Sequence, residues 1–135
     1  MHCAPMLQVS DVEATSRWYQ QVVGLVSGHG GPDYEMLFGG APFAAPLALQ
    51  LHRWDAHERG IIGAPDAARG HGVSLWFEVS DERALEAAFR RAGEAGATVL
   101  AAPAWNPQAH HHELSLRDPD GYVVVLCTPF EAAGP

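Results

Sequence analysis

The stretch Leu7-Gln8-Val9-Ser10-Asp11-Val12-Glu13 decides the fold, because its pattern recurs 70 residues later. The second copy is Phe77-Glu78-Val79-Ser80-Asp81-Glu82-Arg83. Each copy places alternating residues of a strand before a Ser-Asp pair whose side chains can cap a helix. The repeat therefore indicates that one supersecondary unit occurs twice in this chain.

Each copy predicts the order strand, helix and then three strands. Apolar residues at helical spacing place the first helix over residues 12–23 and the second over residues 82–92. Ser10 or Asp11 can cap the first helix, and Gly24 is suited to end it. Each predicted helix thus follows its strand directly, as in a compact βα unit.

The predicted strands alternate in polarity, so each has one face on a core and another face with a different role. Ser74, Trp76 and Glu78 share a face opposite Leu75. The turn Asp118-Pro119-Asp120-Gly121 joins two further strands as a hairpin. These patterns place strands at residues 47–52, 73–79, 111–117 and 122–126.

The predicted fold class is α+β: two tandem βαβββ modules form curved mixed sheets around a cleft, with the helices on the outer face. The 135 residues, of which 47% are hydrophobic, predict a single globular domain. Within it we expect module one at about 1–54, a linker at about 55–72 and module two at about 73–130.

Composition excludes several classes of function. No apolar run approaches the ~18 residues of a membrane span, and the N-terminus has no signal-peptide pattern, so we expect a cytoplasmic protein with no membrane partner. Eight Lys and Arg against sixteen Asp and Glu give a net charge of -8. This balance argues against nucleic acid and favours cationic small molecules. Two cysteines are too few for a disulfide framework.

Motifs at both ends of the chain carry a family resemblance. Met6-Leu7-Gln8-Val9-Ser10-Asp11 leads to Arg17-Trp18-Tyr19 and Val23-Gly24-Leu25, and Leu116-Arg117-Asp118-Pro119-Asp120-Gly121-Tyr122 stands near the end. In these motifs the chain resembles the vicinal oxygen chelate superfamily, which includes glyoxalases, extradiol dioxygenases and the fosfomycin- and bleomycin-resistance proteins. The resemblance implies two βαβββ modules enclosing a cleft, and a homodimer.

The same resemblance implies four positions for the ligands of a divalent metal, one on the first and one on the last strand of each module. In this sequence they fall on Ala4, Gln50, Ser74 and Val125. None is His or Glu, and one amide with one hydroxyl cannot hold a divalent ion. We therefore expect no metal and no cofactor, as in metal-free bleomycin-resistance-type proteins.

Eight residues are candidates for ligand binding. We expect Trp76 to stack on a flat ligand, Glu78 and Glu113 to neutralise its charge, and polar side chains to orient it. Trp76 and Trp105 could instead fill space or cover an edge, and the two carboxylates could be solvated or paired with Arg53 or Arg117. The remaining candidates are Gln50, Ser74, His111, His52 and Trp105.

The run His110-His111-His112 raises the question of a metal. Consecutive residues on a strand point to opposite sides, so His111 shares a face with Glu113, while His110 and His112 point the other way. A site built from His52, His111 and Glu113 is one alternative. The other is a solvated start of a strand.

The favoured hypothesis is a metal-free binding protein of the antibiotic-resistance type, which sequesters an aromatic, cationic small molecule. The alternative is a glyoxalase-like lyase, isomerase or dioxygenase, with a displaced metal site at His52, His111 and Glu113 or with a Glu as general base. A third possibility is an accessory dimer with a collapsed cleft.

Overall fold

The computed structural model describes residues 1–54, 66–68 and 70–135. The chain divides into two compact units, Met1–Ala68 and Arg69–Pro135. Much of the linker predicted at 55–72 lies outside the described residues, which omit 55–65 and 69.

The elements of the first unit are β1 (Met6–Val9), α1 (Val12–Trp18), a π-helical turn (Tyr19–Val23), β2 (Val26–Ser27), β3 (Tyr34–Phe38) and β4 (Leu47–Arg53). The four strands form a mixed sheet in the order β1-β4-β3-β2. Strands β1 and β4 are parallel, and the other neighbours are antiparallel. Helix α1 continues into the π-helical turn, and together they span the helix predicted at 12–23.

The elements of the second unit are β5 (Ser74–Glu78), α2 (Glu82–Glu94), β6 (Thr98–Asn106), β7 (His111–Arg117) and β8 (Val123–Cys127). Its strands repeat the arrangement of the first unit, in the order β5-β8-β7-β6. Strands β5 and β8 are parallel, and the other neighbours are antiparallel. Two mixed sheets with the same connectivity confirm the α+β class and the repeated βαβββ module.

The Val-Ser-Asp repeat caps both helices in the same way. The side chain of Asp11 accepts a hydrogen bond from the amide of Ala14 at 2.9 Å. Asp81 accepts the equivalent bond from Ala84 at 2.8 Å. Both satisfy an amide that has no partner within its own helix. Among the described residues, neither helix combines the length and the apolar character that crossing a bilayer requires.

In each unit the helix packs on one face of the sheet, called the helix-covered face; the opposite face, on which the helix of that unit does not pack, is called the helix-free face. Helix α1 contacts β3 and β4, and helix α2 contacts β6 and β7. The helix-covered faces hold most of the core, where burying one leucine contributes about 1.5–3 kcal/mol. The leucines buried there include Leu37, Leu49, Leu51, Leu114, Leu116 and Leu126.

The hairpin between β7 and β8 forms at the predicted turn. Asp118 accepts hydrogen bonds through Oδ1 from the amides of Asp120 and Tyr122, at 3.0 and 2.9 Å. Gly121 has a φ of +96°, a conformation that glycine adopts without strain. The turn therefore sets the register that places every second residue of β7 and β8 on the helix-free face.

Glu35 on β3 is a carboxylate buried on the helix-covered face of the first sheet, with 2% of its surface exposed. Burial alone would raise the pKa of Glu35, but hydrogen bonds outweigh it and hold that pKa below its ordinary value. The bonds tie helix α1, strand β2 and the loop after β2 to one side chain. The donors are the amides of His29, Gly30 and Met36 and the hydroxyls of Ser16 and Ser27.

We expect Glu35→Gln to lower the free energy of unfolding by about 2–4 kcal/mol at neutral pH, because an amide nitrogen cannot accept the bonds of the oxygen it replaces. The stability that the native carboxylate contributes is fully present above its ordinary pKa of 4.5. It is lost as the pH falls through the lower value of the folded state. Urea unfolding across this range measures both effects.

Glu86→Gln, an exposed change in the middle of α2, is the matched control. It should alter stability by less than about 0.5 kcal/mol. A Glu35→Gln protein that is as stable as the control at neutral pH, with an unchanged acid dependence, would contradict this role for Glu35.

Candidate functional site

The helix-free face of the second sheet carries two neighbouring rows of side chains. In one row Trp76 on β5 pairs with Val125 on β8, which pairs with Ser115 on β7. In the next row Glu78, Cys127 and Glu113 stand side by side in the same order of strands. An aromatic surface therefore lies beside a pair of carboxylates that flank one thiol.

Trp76 is the largest side chain of this face, and 51% of its surface is exposed. Its indole Nε1 donates a hydrogen bond to the Ser74 hydroxyl at 2.8 Å. The imidazole of His111 lies 6.0 Å away between ring centroids, at an angle of 43°. An indole exposed to this degree presents a face on which a flat ligand could stack.

Glu113 is held in a fixed orientation by two neighbours. The Nε2 of His111 lies 2.7 Å from Glu113 Oε1, and the side-chain amide of Asn106 donates to the same oxygen at 2.8 Å. His111 and Glu113 are both mostly buried. Glu78, at the end of β5, is exposed. One carboxylate is thus preorganised, while the other is free to adjust to a ligand.

Arg53 and Arg117, considered above as alternative partners of the carboxylates, each contact another group within their own unit. Arg53 lies 2.9 Å from Asp33, and the Arg117 guanidinium donates to the carbonyl of Gly121 at 2.8 Å. The partners of Glu113 are instead His111 and Asn106.

Cys127 lies on β8 between the strands that carry the two carboxylates. Burial raises the pKa of the Cys127 thiol, and the negative charges of Glu78 and Glu113 raise it further. The same field that disfavours a thiolate favours a cation at this place.

Gln50 and His52 lie in the first unit, on the helix-free face of its sheet. The Tyr34 hydroxyl donates to Gln50 Oε1 at 2.6 Å, and Gln50 Nε2 donates to the carbonyl of Ala4 at 3.2 Å. His52 is buried, with its Nδ1 2.9 Å from the carbonyl of Arg53 and its ring 6.2 Å from Tyr34. These groups form a polar cluster of their own.

The pKa of the Tyr34 hydroxyl is raised by burial and by the charge of Glu35. Tyr34 therefore stays protonated near neutral pH and acts as a hydrogen-bond donor.

Trp105 lies apart from the other candidates of the second unit. It lies at the end of β6, and its register partner on β7 is His112. The two rings meet edge to face with centroids 5.2 Å apart. Partners in register share a face, so Trp105 lies on the opposite face from Trp76 and belongs to a different surface.

Sequence reasoning missed Asn106 and Tyr34 as members of these clusters. Asn106 is the last residue of β6 and pairs with His111, and Tyr34 is the first residue of β3 and pairs with His52. Both roles depend on cross-strand register. The sequence offers only one sign of these roles, which is a polar residue at the end of a strand; Asn106 also precedes Pro107, a residue that favours turns.

A comparison with protein families identifies the fold. The model described as the Glyoxalase/Bleomycin resistance protein/Dioxygenase superfamily matches residues 1–126. The chain belongs to this superfamily. No curated protein sequence matches the chain.

Solved structures of the superfamily share the fold at low identity. A family enzyme from Burkholderia phytofirmans PsJN has a TM-score of 0.74 and 24% identity, over 91% of this chain and 94% of that one. A glyoxalase-related enzyme from Fulvimarina pelagi has a TM-score of 0.75 and 19% identity, over 100% and 96%. The fosfomycin resistance protein FosX from Mesorhizobium loti has a TM-score of 0.69 and 14% identity, over 98% and 95%.

The residues at the superfamily's metal positions do not fit a divalent ion. Ala4 and Val125 carry no donor atom. The amide of Gln50 is bonded to Tyr34 and to the carbonyl of Ala4, and the hydroxyl of Ser74 accepts from Trp76. A structural or catalytic metal needs three or four imidazole, thiolate or carboxylate donors. We therefore derive no chemistry through a metal at these positions.

The environment of Cys127 predicts a difference in thiol reactivity. Cys3 is exposed and Cys127 is buried. Because the thiolate is the reactive form, we expect Cys127 to react with iodoacetamide at least about tenfold more slowly than Cys3. Glu78→Gln removes one of the charges that raise the Cys127 pKa and should speed that site about two- to threefold. Mass spectrometry of the native protein over time measures both rates.

Glu86→Gln removes an equal charge from exposed helix α2 and should leave the Cys127 rate unchanged. Equal rates at the two cysteines would contradict the protected environment of Cys127, and an identical effect of the two variants would contradict the contribution of Glu78 to it.

Proposed function

We propose that this protein binds a planar, cationic aromatic compound on the helix-free face of the second sheet and sequesters it, without a metal at the superfamily's positions. The observation that carries the proposal is the half-exposed indole of Trp76, one row away from the carboxylates of Glu78 and Glu113. Sequestration alone would protect a cell from such a compound, which is the antibiotic-resistance role expected from the sequence.

Charge and shape both favour a flat cation over a neutral or anionic ligand. A cation over an indole gains about 0.5–1 kcal/mol when exposed and about 2 kcal/mol or more when desolvated. The nearby carboxylates add attraction, and the net charge of -8 raises the local concentration of cations. These contributions together with the buried area of the rings are in the range that gives micromolar affinity.

Specificity would come from the polar groups that surround the indole. Ser74 holds the indole Nε1, so it limits rotation of Trp76. His111 sits between the ring of Trp76 and the carboxylate of Glu113, where it can orient a ligand by hydrogen bonding. The candidates Gln50 and His52 form their polar cluster with Tyr34 within the first unit, and they are not part of this site.

One observation favours an enzyme as the second candidate. His111 and Glu113 form a mostly buried pair at 2.7 Å, an arrangement that can hold an imidazole in one tautomer as a general base. Such a pair could move a proton in a metal-independent isomerase or lyase. Conversion of a bound compound, followed by mass spectrometry, would support this candidate over simple sequestration.

The probe for the binding proposal is proflavine, a planar cation, compared with acridine, which has a similar ring system and is neutral above about pH 7. We expect proflavine to bind with micromolar affinity in the presence of EDTA, and acridine to bind about tenfold more weakly. Trp76→Ala should reduce proflavine affinity at least about tenfold, and Glu78→Gln or Glu113→Gln about three- to tenfold. Isothermal titration calorimetry measures each affinity.

Two exposed residues on other surfaces supply the controls. Phe130→Ala removes an exposed ring and Glu86→Gln an exposed charge, and each should change affinity less than twofold. Affinity that is unaffected by Trp76→Ala, or equal for proflavine and acridine, would overturn the proposal. Binding that EDTA abolishes would also overturn it.

A further inference from the structure

The second unit brings together three metal-ligating side chains outside the superfamily's metal positions. They are Glu82 at the start of α2, His112 on β7 and Glu131 after β8, and one ligand atom from each lies within 4.8 Å of the others. His112 faces the helix-covered side, whereas the superfamily positions Ser74 and Val125 lie on or beside the helix-free face. This cluster is therefore separate from the surface proposed to bind a ligand.

We propose that Glu82, His112 and Glu131 bind one divalent transition-metal ion such as Zn²⁺. Two carboxylates and one imidazole are a donor set that Zn²⁺ accepts, with a water as the remaining ligand. The proposal rests on the separation of the donor atoms and on the state of the His112 ring.

The first line of support is the imidazole of His112. Its Nδ1 is fully buried and has no hydrogen-bond partner among the described residues. The side chain as a whole is only 16% exposed. Buried polar atoms in folded proteins nearly always have a partner, and among the described residues this nitrogen makes no hydrogen bond. A metal ion bound by the neutral ring would be that partner.

The second line of support is a distance. His112 Nδ1 lies 3.5 Å from Glu82 Oε1, which is too long for a hydrogen bond. Two ligands of a tetrahedral Zn²⁺, each about 2.0–2.1 Å from the ion, stand roughly 3.4 Å apart. The pair is therefore spaced as two ligands of one ion would be.

Hydrogen bonds fix the position of the segment that carries Glu131, the third proposed ligand. The amide of Glu131 donates to the carbonyl of His110 at 2.7 Å, and Nδ1 of His110 lies 3.2 Å from the Glu131 carbonyl. The amide of His112 also donates to the Thr128 hydroxyl at 3.0 Å. These bonds hold the segment after β8 against β7. Little backbone ordering would then accompany binding of the ion.

Two of the three proposed ligands can be reached from solvent. Glu82 and Glu131 line a surface hollow together with Arg83 and Thr128. The side chain of Glu82 is 62% exposed and can move toward the ion.

Two features oppose a cation here and set the expected affinity. Arg83 lines the same hollow, and the first turn of α2 carries the partial positive charge of a helix N-terminus. We therefore expect micromolar rather than nanomolar affinity for Zn²⁺. Removing the arginine charge should tighten binding.

The experiment is a Zn²⁺ titration of the chelator-treated full-length protein by calorimetry, with thermal unfolding as a second readout. We expect one micromolar site that Glu131→Gln and Glu82→Gln each weaken at least about tenfold. His112→Gln should abolish this site, and Arg83→Gln should tighten it about two- to fivefold. Because Glu82 and Glu131 are not in the core, their variants keep the test valid if His112→Gln does not fold.

The matched controls are His71→Gln and Glu86→Gln, which remove an exposed imidazole and an exposed carboxylate elsewhere in the unit. Both should retain the site. Absence of micromolar Zn²⁺ binding, or binding that is equal in the Glu131→Gln protein and in the controls, would overturn the proposal. Loss of proflavine binding has no bearing on this result, since the two surfaces share no residue.

Discussion

Both modules depend on the packing of one helix against one face of a mixed sheet. Once α1 and α2 cover a face, the two-residue period of the strands dictates that leucines alternate with side chains on the other face. The parallel pairs β1–β4 and β5–β8 fix the register of these alternate residues. The composition of the helix-free faces is therefore free to vary without loss of the core, and in this chain it has become aromatic and acidic around Trp76.

The repeat, the helix caps and the β7–β8 hairpin could be predicted because each is a local pattern of neighbouring residues. Asp11 and Asp81 act as caps as their spacing indicates, and Gly121 adopts the positive φ that the turn requires. The placement of Trp76 on a face opposite Leu75 also follows from alternation alone. These features need no knowledge of which strands pair.

The remaining features depend on cross-strand register, which the sequence does not encode locally. Glu35 reads as a polar residue in a short strand, yet its partners lie on three separate segments. Irregular pairing within β6, between Val99 and Ala104, changes which residue of β7 each later residue of β6 meets. Trp105 pairs with His112 and lies on that residue's face, not on the face of Trp76. The cluster of Glu82, His112 and Glu131 likewise combines residues from helix α2, strand β7 and the segment after β8, so local patterns in the sequence do not reveal it.

The resemblance to the superfamily implies four metal-ligand positions on the strands of the two modules, and in this chain none of them carries an imidazole or a carboxylate. Two of these positions are occupied by the apolar residues Ala4 and Val125. At the other two, Gln50 accepts a hydrogen bond from Tyr34 and Ser74 accepts one from Trp76. Carboxylates beside an exposed indole favour a ligand that brings its own positive charge.

The most direct measurement of this account is a nuclear magnetic resonance titration of ¹⁵N-labelled protein with proflavine in EDTA, following the indole N–H signals of the four tryptophans. Comparison with Trp76→Phe assigns the signal of interest. The account predicts a saturable shift of the Trp76 signal, with little change at Trp18 and Trp105. Saturable shifts at other indoles while Trp76 stays unchanged, or no shift at all, would contradict it.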